Sequence, residues 1–155
     1  MKKLLIPILS VLIVVAGAGG YFVGKSAAKK EILAAEETYR KSADGAKEVA
    51  IKYLNALKFS DIPEAYSYTC SEFQNKVTEE KFVSRWEKID KELTNEGTVI
   101  QDFPVTDVIV NDDLAKIRFS QVFYNPVTKE FSKPSQAEFQ LISGRWCAMP
   151  PTDGY

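Results

Sequence analysis

The spacing of apolar positions along the chain changes character twice. Leu4 to Gly24 has no periodicity and passes 21 residues without a charge. At about 1.5 Å per residue, a helix of that length crosses a hydrocarbon core of roughly 30 Å. From Ser26 to Ser42 the reading is helical, with Ala27, Ala28, Ile32, Ala35 and Tyr39 roughly on one side. Its alanine, lysine and glutamate content suits a stalk. Asp44-Gly45 is the expected break, and one long helix through to Lys58 is the alternative. Ala46, Val49, Ala50, Tyr53, Leu54 and Leu57 then follow i, i+3, i+4 spacing, which predicts a helix with one buried face. Asp61 is placed to cap a short helix, with Pro63 in its first turn and Glu64 three positions after the cap. A further helix starts at Thr78, with Glu79 and Glu80 at the positive end of its dipole. Phe82, Trp86, Ile89 and Leu93 form its apolar stripe, and Asn95-Glu96-Gly97 ends it.

Beyond Gly97 the period falls from near 3.6 to 2. Val99 to Val110 is β-rich, and Pro104 within it predicts a bulge or an edge. After a turn at Asn111-Asp112-Asp113, residues Ala115, Ile117, Phe119, Gln121 and Phe123 alternate with a more polar set, the pattern of a half-buried strand. Asn125-Pro126 turns the chain again. A strand is expected around Ser135–Ile142, with Ala137, Phe139 and Leu141 on one face, then a tight Ser143-Gly144 turn into Arg145–Met149. Pro150-Pro151 stops that last strand. Helices followed by a curved antiparallel sheet of about four strands make the fold class α+β. The domain plan is an anchor or signal segment over 1–24, a helical stalk over 25–42, the folded domain over 43–150 and a tail over 151–155.

Composition is ordinary for a globular chain, at 45% hydrophobic and 26% charged. Its distribution is not, since no acidic residue precedes Glu31. Setting aside Lys2 and Lys3 in the first 24 residues leaves 18 basic against 21 acidic side chains, a net charge of −3. A mildly acidic domain without a basic stripe argues against nucleic acid as a partner. The chain has no histidine, which removes His-based triads, His general bases and the common zinc sites. Its two cysteines, Cys70 and Cys147, form no C-x-x-C pair. No metal and no cofactor are expected.

The stretch GGYFVGKS, Gly19–Ser26, matches the phosphate-loop pattern G-x-x-x-x-G-K-[ST] letter for letter. Such a loop follows a short buried strand and wraps phosphate with bare backbone. Here the apolar run is too long for that strand, and Tyr21-Phe22-Val23 puts bulk where phosphate would approach. No nucleotide is expected. Lys2-Lys3, the apolar Leu4–Val15 and Ala16-Gly17-Ala18 have the three regions of a cleavable signal, with cleavage near Ala18 as the alternative. The apolar character continues through Tyr21-Phe22-Val23 past that cut, which favours an uncleaved membrane anchor. Lys25, Lys29 and Lys30 compete with Lys2 and Lys3 for the cytoplasmic side. A two-residue tail fits an amino terminus left in the cytoplasm with the domain exported. Ala16, Gly20 and Gly24 recur every four residues as a small-residue stripe that would permit helix packing and a homodimer, against the plain frequency of such residues in membrane helices.

In an exported domain Cys70 and Cys147 suggest a disulfide closing a long loop, the alternative being two separate buried thiols. Asp107 is the one acidic side chain inside the apolar Val105–Val110 stretch. Desolvated, it would have a raised pKa and could shuttle protons; facing outward, it would do nothing. Tyr53, Tyr66, Trp86, Phe119, Phe123 and Trp146 are candidates to line an apolar pocket, or else form the core itself.

The segments AKEVAIKYLNALKFSDIPEAYSYTCSEF and TEEKFVSRWEKI, followed by antiparallel strands ending in FQLISGRWCAM, resemble the nuclear transport factor 2-like superfamily over roughly residues 43–150. Its exported, membrane-anchored bacterial members are the narrower resemblance. The features that carry it are the helix-to-helix step at Phe59-Ser60-Asp61-Ile62, the Ala65-Tyr66 pair and the closing Gly144-Arg145-Trp146 hairpin. It implies a cone in which helices pack into a curved sheet around a cavity. It also implies functions ranging from isomerases and hydratases to non-catalytic binding and assembly domains, so fold alone does not choose among them. With no catalytic constellation in view, the expectation is a non-catalytic, membrane-anchored extracytoplasmic domain that binds a protein partner or assembles in the bacterial cell envelope. A related version resembles the anchored core subunits of type IV secretion machines. The alternatives are an exported small-molecule binder using the cone, and an isomerase- or dehydratase-like enzyme using Asp107.

Overall fold

The computed structural model describes residues 21–153 and 155, with side chains from residue 29 on. The described chain divides into two compact units at Ala35/Glu36. Helix α1 runs over Tyr21–Arg40, starting earlier and ending two residues sooner than the spacing of its alanines predicts. Its side chains from Lys29 to Arg40 are exposed. Turn-to-turn ion pairs, Glu36–Arg40 at 2.6 Å and Glu37–Lys41 at 2.7 Å, decorate its last turns. Among the described residues no helix is long and apolar enough to cross a membrane. Most of the Leu4–Gly24 run, including Ala16 and Gly20 of the packing stripe, lies outside the described residues. The described part of the phosphate-loop match, Tyr21–Ser26, is helical, and Gly24 is within it.

The break between α1 and α2 (Ala43–Lys58) falls at Lys41-Ser42, three residues before the expected Asp44-Gly45. Ser42 is the cap: its hydroxyl accepts from the Gly45 N–H at 3.3 Å and donates to the Tyr39 carbonyl at 2.6 Å. Gly45 is inside the helix for a different reason. A Cβ there would lie 2.5 Å from the Arg40 carbonyl oxygen and 2.6 Å from that of Tyr39. The glycine permits the end of α1 to press on the first turn of α2.

Three more helices follow. Asp61 caps α3 (Ile62–Ser67), accepting from the Glu64 N–H at 3.2 Å. Helix α4 is a single turn, Ser71–Gln74, absent from the sequence reading because four residues carry no periodicity. Thr78 caps α5 (Glu79–Asn95), accepting from the Lys81 N–H at 3.4 Å.

The sheet is antiparallel and built on β3 (Leu114–Asn125) and β4 (Lys129–Ile142), paired along their length. Strand β5 (Arg145–Ala148) adds to the far edge of β4 through a two-residue turn whose Ser143 and Gly144 both have positive φ, 51° and 76°. On the other edge, β2 (Val105–Asn111) pairs with the first half of β3 and β1 (Val99–Asp102) with the second half. They are two halves of one edge strand broken at Phe103-Pro104, with register shifts on both sides. Strand β4 begins six residues earlier than expected and runs through Pro134. That residue sits opposite Ser120, whose N–H turns away to the Pro104 carbonyl at 3.1 Å. The pair is a non-hydrogen-bonded one, so proline forfeits no ladder bond there.

The helices cover the inward face of this sheet. Ala46, Ala50, Tyr53, Leu54 and Leu57 from α2 meet Ala115, Ile117, Phe119 and Phe139 from β3 and β4, with Phe73 and Phe82 completing the core. The arrangement is α+β, with helices packed on a curved antiparallel sheet. The Tyr68–Cys70 segment joins the free edge of β5: the Ala148 N–H donates to the Tyr68 carbonyl at 2.8 Å and the Cys70 N–H to the Ala148 carbonyl at 2.9 Å. A disulfide links Cys70 to Cys147 beside this bridge, with the Cα atoms 4.9 Å apart.

Two outcomes follow from these contacts. Gly45→Ala forces backbone to move and is expected to lower stability by about 1–3 kcal/mol, read as a lower urea midpoint at unchanged slope. Replacing both cysteines with serine opens a loop of 77 residues. It should cost on the order of 4 kcal/mol by chain entropy, and an unchanged midpoint would show that the β5 bridge holds without the bond.

Candidate functional site

The concave face of the sheet is not filled completely. A cavity of about 400 Å³ remains between α2, α5, the β1–β2 break, the strands and the last residues. Its walls are largely apolar: Tyr53, Leu54 and Leu57 from α2, Trp86 and Ile89 from α5, with Phe103 and Phe119 from the sheet. Polar groups interrupt them at Arg85, Gln121, Gln136, Glu138 and Asp153. Arg85, Gln136, Glu138 and Asp153 are exposed, so the cavity opens to solvent on their side.

The local structure explains these placements. Tyr53 is on the buried stripe of α2, its ring edge-on to Phe139 at 6.0 Å. Burial pushes its phenol well above the ordinary value, and the neighbouring Tyr155 adds to the shift. Trp86 comes one turn after the fully buried Phe82, at the partly exposed end of the α5 stripe. Phe103 swings inward because Pro104 breaks the edge strand beside it, and it meets Phe119 edge-on at 6.0 Å. Lys58 fixes that break from α2: its Nζ donates to Asp102 Oδ1 at 3.1 Å. This bond, with the Phe103 N–H, holds the Asp102 carboxyl below its usual range.

Of the six aromatic candidates from the sequence, Tyr53, Trp86 and Phe119 line this cavity. The other three lie elsewhere. Tyr66 belongs to the helical core, packed on Phe73 and Phe82 with its hydroxyl donating to the Val77 carbonyl at 2.8 Å. Phe123 stacks on Phe131 across β3–β4 at 5.3 Å, under the Lys133 ammonium. Trp146 lines a second groove of about 650 Å³ with Tyr39, Glu48, Lys52, Tyr68 and Arg145. Its Nε1 is buried without a hydrogen-bond partner. Asp107 is exposed on β2, outside the cavity, where its carboxylate accepts from the Val108 N–H at 2.9 Å and pairs with Arg118 at 3.3 Å. Among the described residues no group of three or more Cys, Asp or Glu side chains is gathered to hold a metal.

Several wall residues carried no signal in the sequence. Arg85 is one charge among many on α5, and Gln121 looked like a lapse in an apolar alternation. The tail was the larger omission. Pro150, Pro151, Asp153 and Tyr155 all line the cavity, and the Tyr155 ring lies parallel to Phe82 at 5.9 Å and edge-on to Phe73 at 5.6 Å. A large aromatic residue two positions past a polar Pro-Pro-Thr-Asp run is the one hint that the tail folds back.

No family model matches this chain, and no curated protein matches it. Solved structures do. A Campylobacter jejuni protein described as a candidate nuclear transport factor 2-like transpeptidase superposes with a TM-score of 0.52 at 17% identity, over 68% of this chain and 97% of that one. A nuclear transport factor 2-like protein of unknown function from Pseudomonas putida gives 0.48 at 12% identity, over 70% and 84%. One with a cystatin-like fold from Novosphingobium aromaticivorans gives 0.48 at 14%, over 86% and 92%. At such identities likeness speaks to architecture alone, and the architecture of this chain is that of the nuclear transport factor 2-like cone.

Proposed function

We propose that this chain is a non-catalytic binding domain held outside the cytoplasm by its N-terminal apolar segment, and that the cone cavity is its binding site. The observation that carries the reading is the cavity itself: about 400 Å³, walled by Tyr53, Leu57, Trp86, Phe103 and Phe119, with a few polar groups among them. That is the volume and chemistry of a pocket for a small organic molecule. Anchoring is supported by the uncharged Leu4–Gly24 run, and export by a disulfide of the kind that persists in oxidising compartments. The non-catalytic part is supported by the position of Asp107, salt-bridged on the outer face.

A second reading, docking of a protein partner or a second copy, has its own observation in the groove around Tyr39, Tyr68 and Trp146. The two tryptophans separate these readings, since Trp86 lines the cavity and Trp146 the groove.

Titration with naphthalene, followed by tryptophan fluorescence and thermal unfolding, tests the cavity. Binding should stabilise the fold by about 2.7 kcal/mol at a hundredfold excess over Kd. The emission change should survive Trp146→Phe and vanish in Trp86→Phe. Ala137→Trp, which fills the cavity from β4, should abolish the stabilisation. A response that follows Trp146 instead would move the site to the groove. For the anchor, the intact mass of the protein from its own membrane fraction should be that of the full chain; a mass beginning near Gly19 would make it a secreted protein.

A further inference from the structure

Beyond β5 the chain passes along the cavity with little to hold it. The Met149 N–H donates to the Glu138 carbonyl at 2.8 Å. From Pro150 to Asp153, neither backbone nor side chain makes a hydrogen bond or an ion pair among the described residues. Pro150 and Pro151 have no N–H to offer the sheet, and their fixed φ makes the segment a stiff arm. Yet Pro150, Pro151, Asp153 and Tyr155 all line the cavity. Pro151, Thr152 and Asp153 are otherwise exposed.

Tyr155 is what fixes this arm. Its ring lies on Phe82 and edge-on to Phe73, two side chains that are at most 1% exposed. Its hydroxyl is the partner of the buried Trp86 indole N–H in a loose bond, outside ordinary hydrogen-bond geometry. Tyr155 and Arg85 also line a hollow along α5, with Thr78, Lys81, Ser84 and Lys88. Side chains common to two hollows are the partition between them, so moving Tyr155 aside would join the cavity to the α5 surface. The attachment of Tyr68–Cys70 to β5 is different in kind, with two backbone bonds and a disulfide. Tyr155 can leave by giving up ring contacts and one loose bond. Two aromatic contacts favour a closed state over an open one by roughly ten- to a hundredfold, which leaves the open state accessible.

On the reading that the cavity is a binding site, we infer that the tail from Pro150 on is a strap hinged at Met149-Pro150, which opens without unfolding of the domain and admits the ligand past Tyr155. Removing a strap speeds both entry and exit of a ligand, whereas removing a fixed wall speeds exit alone.

Two measurements on the full chain in mild detergent test this. The first needs no ligand: hydrogen exchange of the Trp86 indole N–H, followed by NMR in rising urea. Opening of the strap should expose that N–H at a rate nearly independent of urea and well ahead of the slowest core amides. In Tyr155→Ala the exchange should quicken roughly tenfold or more, the factor that two lost ring contacts imply. Exchange that rises with urea as steeply as global unfolding would make Tyr155 part of the fixed core and overturn the inference. The second is stopped-flow binding of naphthalene, read by Trp86 fluorescence in a Trp146→Phe background. Tyr155→Ala should raise association and dissociation rates together, roughly tenfold or more, and leave Kd nearly unchanged. Faster dissociation alone, with Kd weakened to match, would make Tyr155 a wall and equally overturn the inference. Should Tyr155→Ala prove unstable, Tyr155→Leu keeps apolar cover over Phe82 without the ring contacts and should shift both rates in the same direction. Naphthalene binding to none of the forms, with the indole exchange still local, would overturn the binding reading and leave the opening strap in place.

Discussion

The alternation of β3 and β4 is the constraint on which the rest of the second unit depends. Ala115, Ile117, Phe119 and Phe123 face inward between the exposed Lys116 and Arg118 and their polar successors, and Phe139 answers them from β4. A slip of one residue would turn every one of these side chains to water, so the register is pinned by the pattern itself. Strands this long coil, and an unbroken edge strand beside them would have to coil equally. The chain instead breaks at Phe103-Pro104 and pairs the two pieces with separate halves of β3. The break relieves the curvature, sends Phe103 into the concavity and leaves Pro104 where no ladder bond is required.

A curved sheet closes into a cone only if its ends are tied to the helices, and three different interactions do so. Lys58 reaches Asp102 at the strand break. The Asn125 side chain, at the far end of β3, donates to the Glu96 carbonyl at 2.7 Å and to Thr98 Oγ1 at 3.0 Å, clamping the end of α5. The third tie is the strongest: the Tyr68–Cys70 segment is both hydrogen-bonded and covalently joined to β5. The exposed Lys58–Asp102 pair is worth little on its own. Its role is to fix the position of Phe103, the residue that narrows the cavity.

Helix stripes and the β3 alternation were legible in the sequence because burial imposes a period on them. The caps at Asp61 and Thr78 were legible because a carboxylate or hydroxyl before a helix has a specific bond to make. The α1–α2 break was misplaced by three residues for a physical reason. Glycine reads as a breaker from propensity alone, whereas Gly45 serves a close approach between backbones that no local pattern reports. Strand β4 was shortened because proline argues against a strand, and only its partner Ser120 shows that Pro134 sits at a harmless position. Half of the aromatic candidates reached the cavity. An inward-facing aromatic is identifiable from spacing; whether it meets another aromatic or an empty space depends on which element lies opposite. The tail, with neither periodicity nor a cap, left only Tyr155 as a clue.

That a cavity survives at all needs a reason. If it were sealed and dry, 400 Å³ would cost about 10 kcal/mol at the usual penalty per unit volume, comparable with the whole stability of a domain this size. The fold escapes that cost by leaving one side open through Arg85, Gln136, Glu138 and Asp153. Water can then enter, but the aromatic walls bond it poorly. The small residues Ala137 and Ala148 keep the space clear from the strand side, while Tyr155 folds across from the tail. Larger side chains at those two alanines would fill the concavity and make a better core. The chain keeps small residues opposite Tyr53 and Trp86, and so gives up core packing and leaves the concavity open.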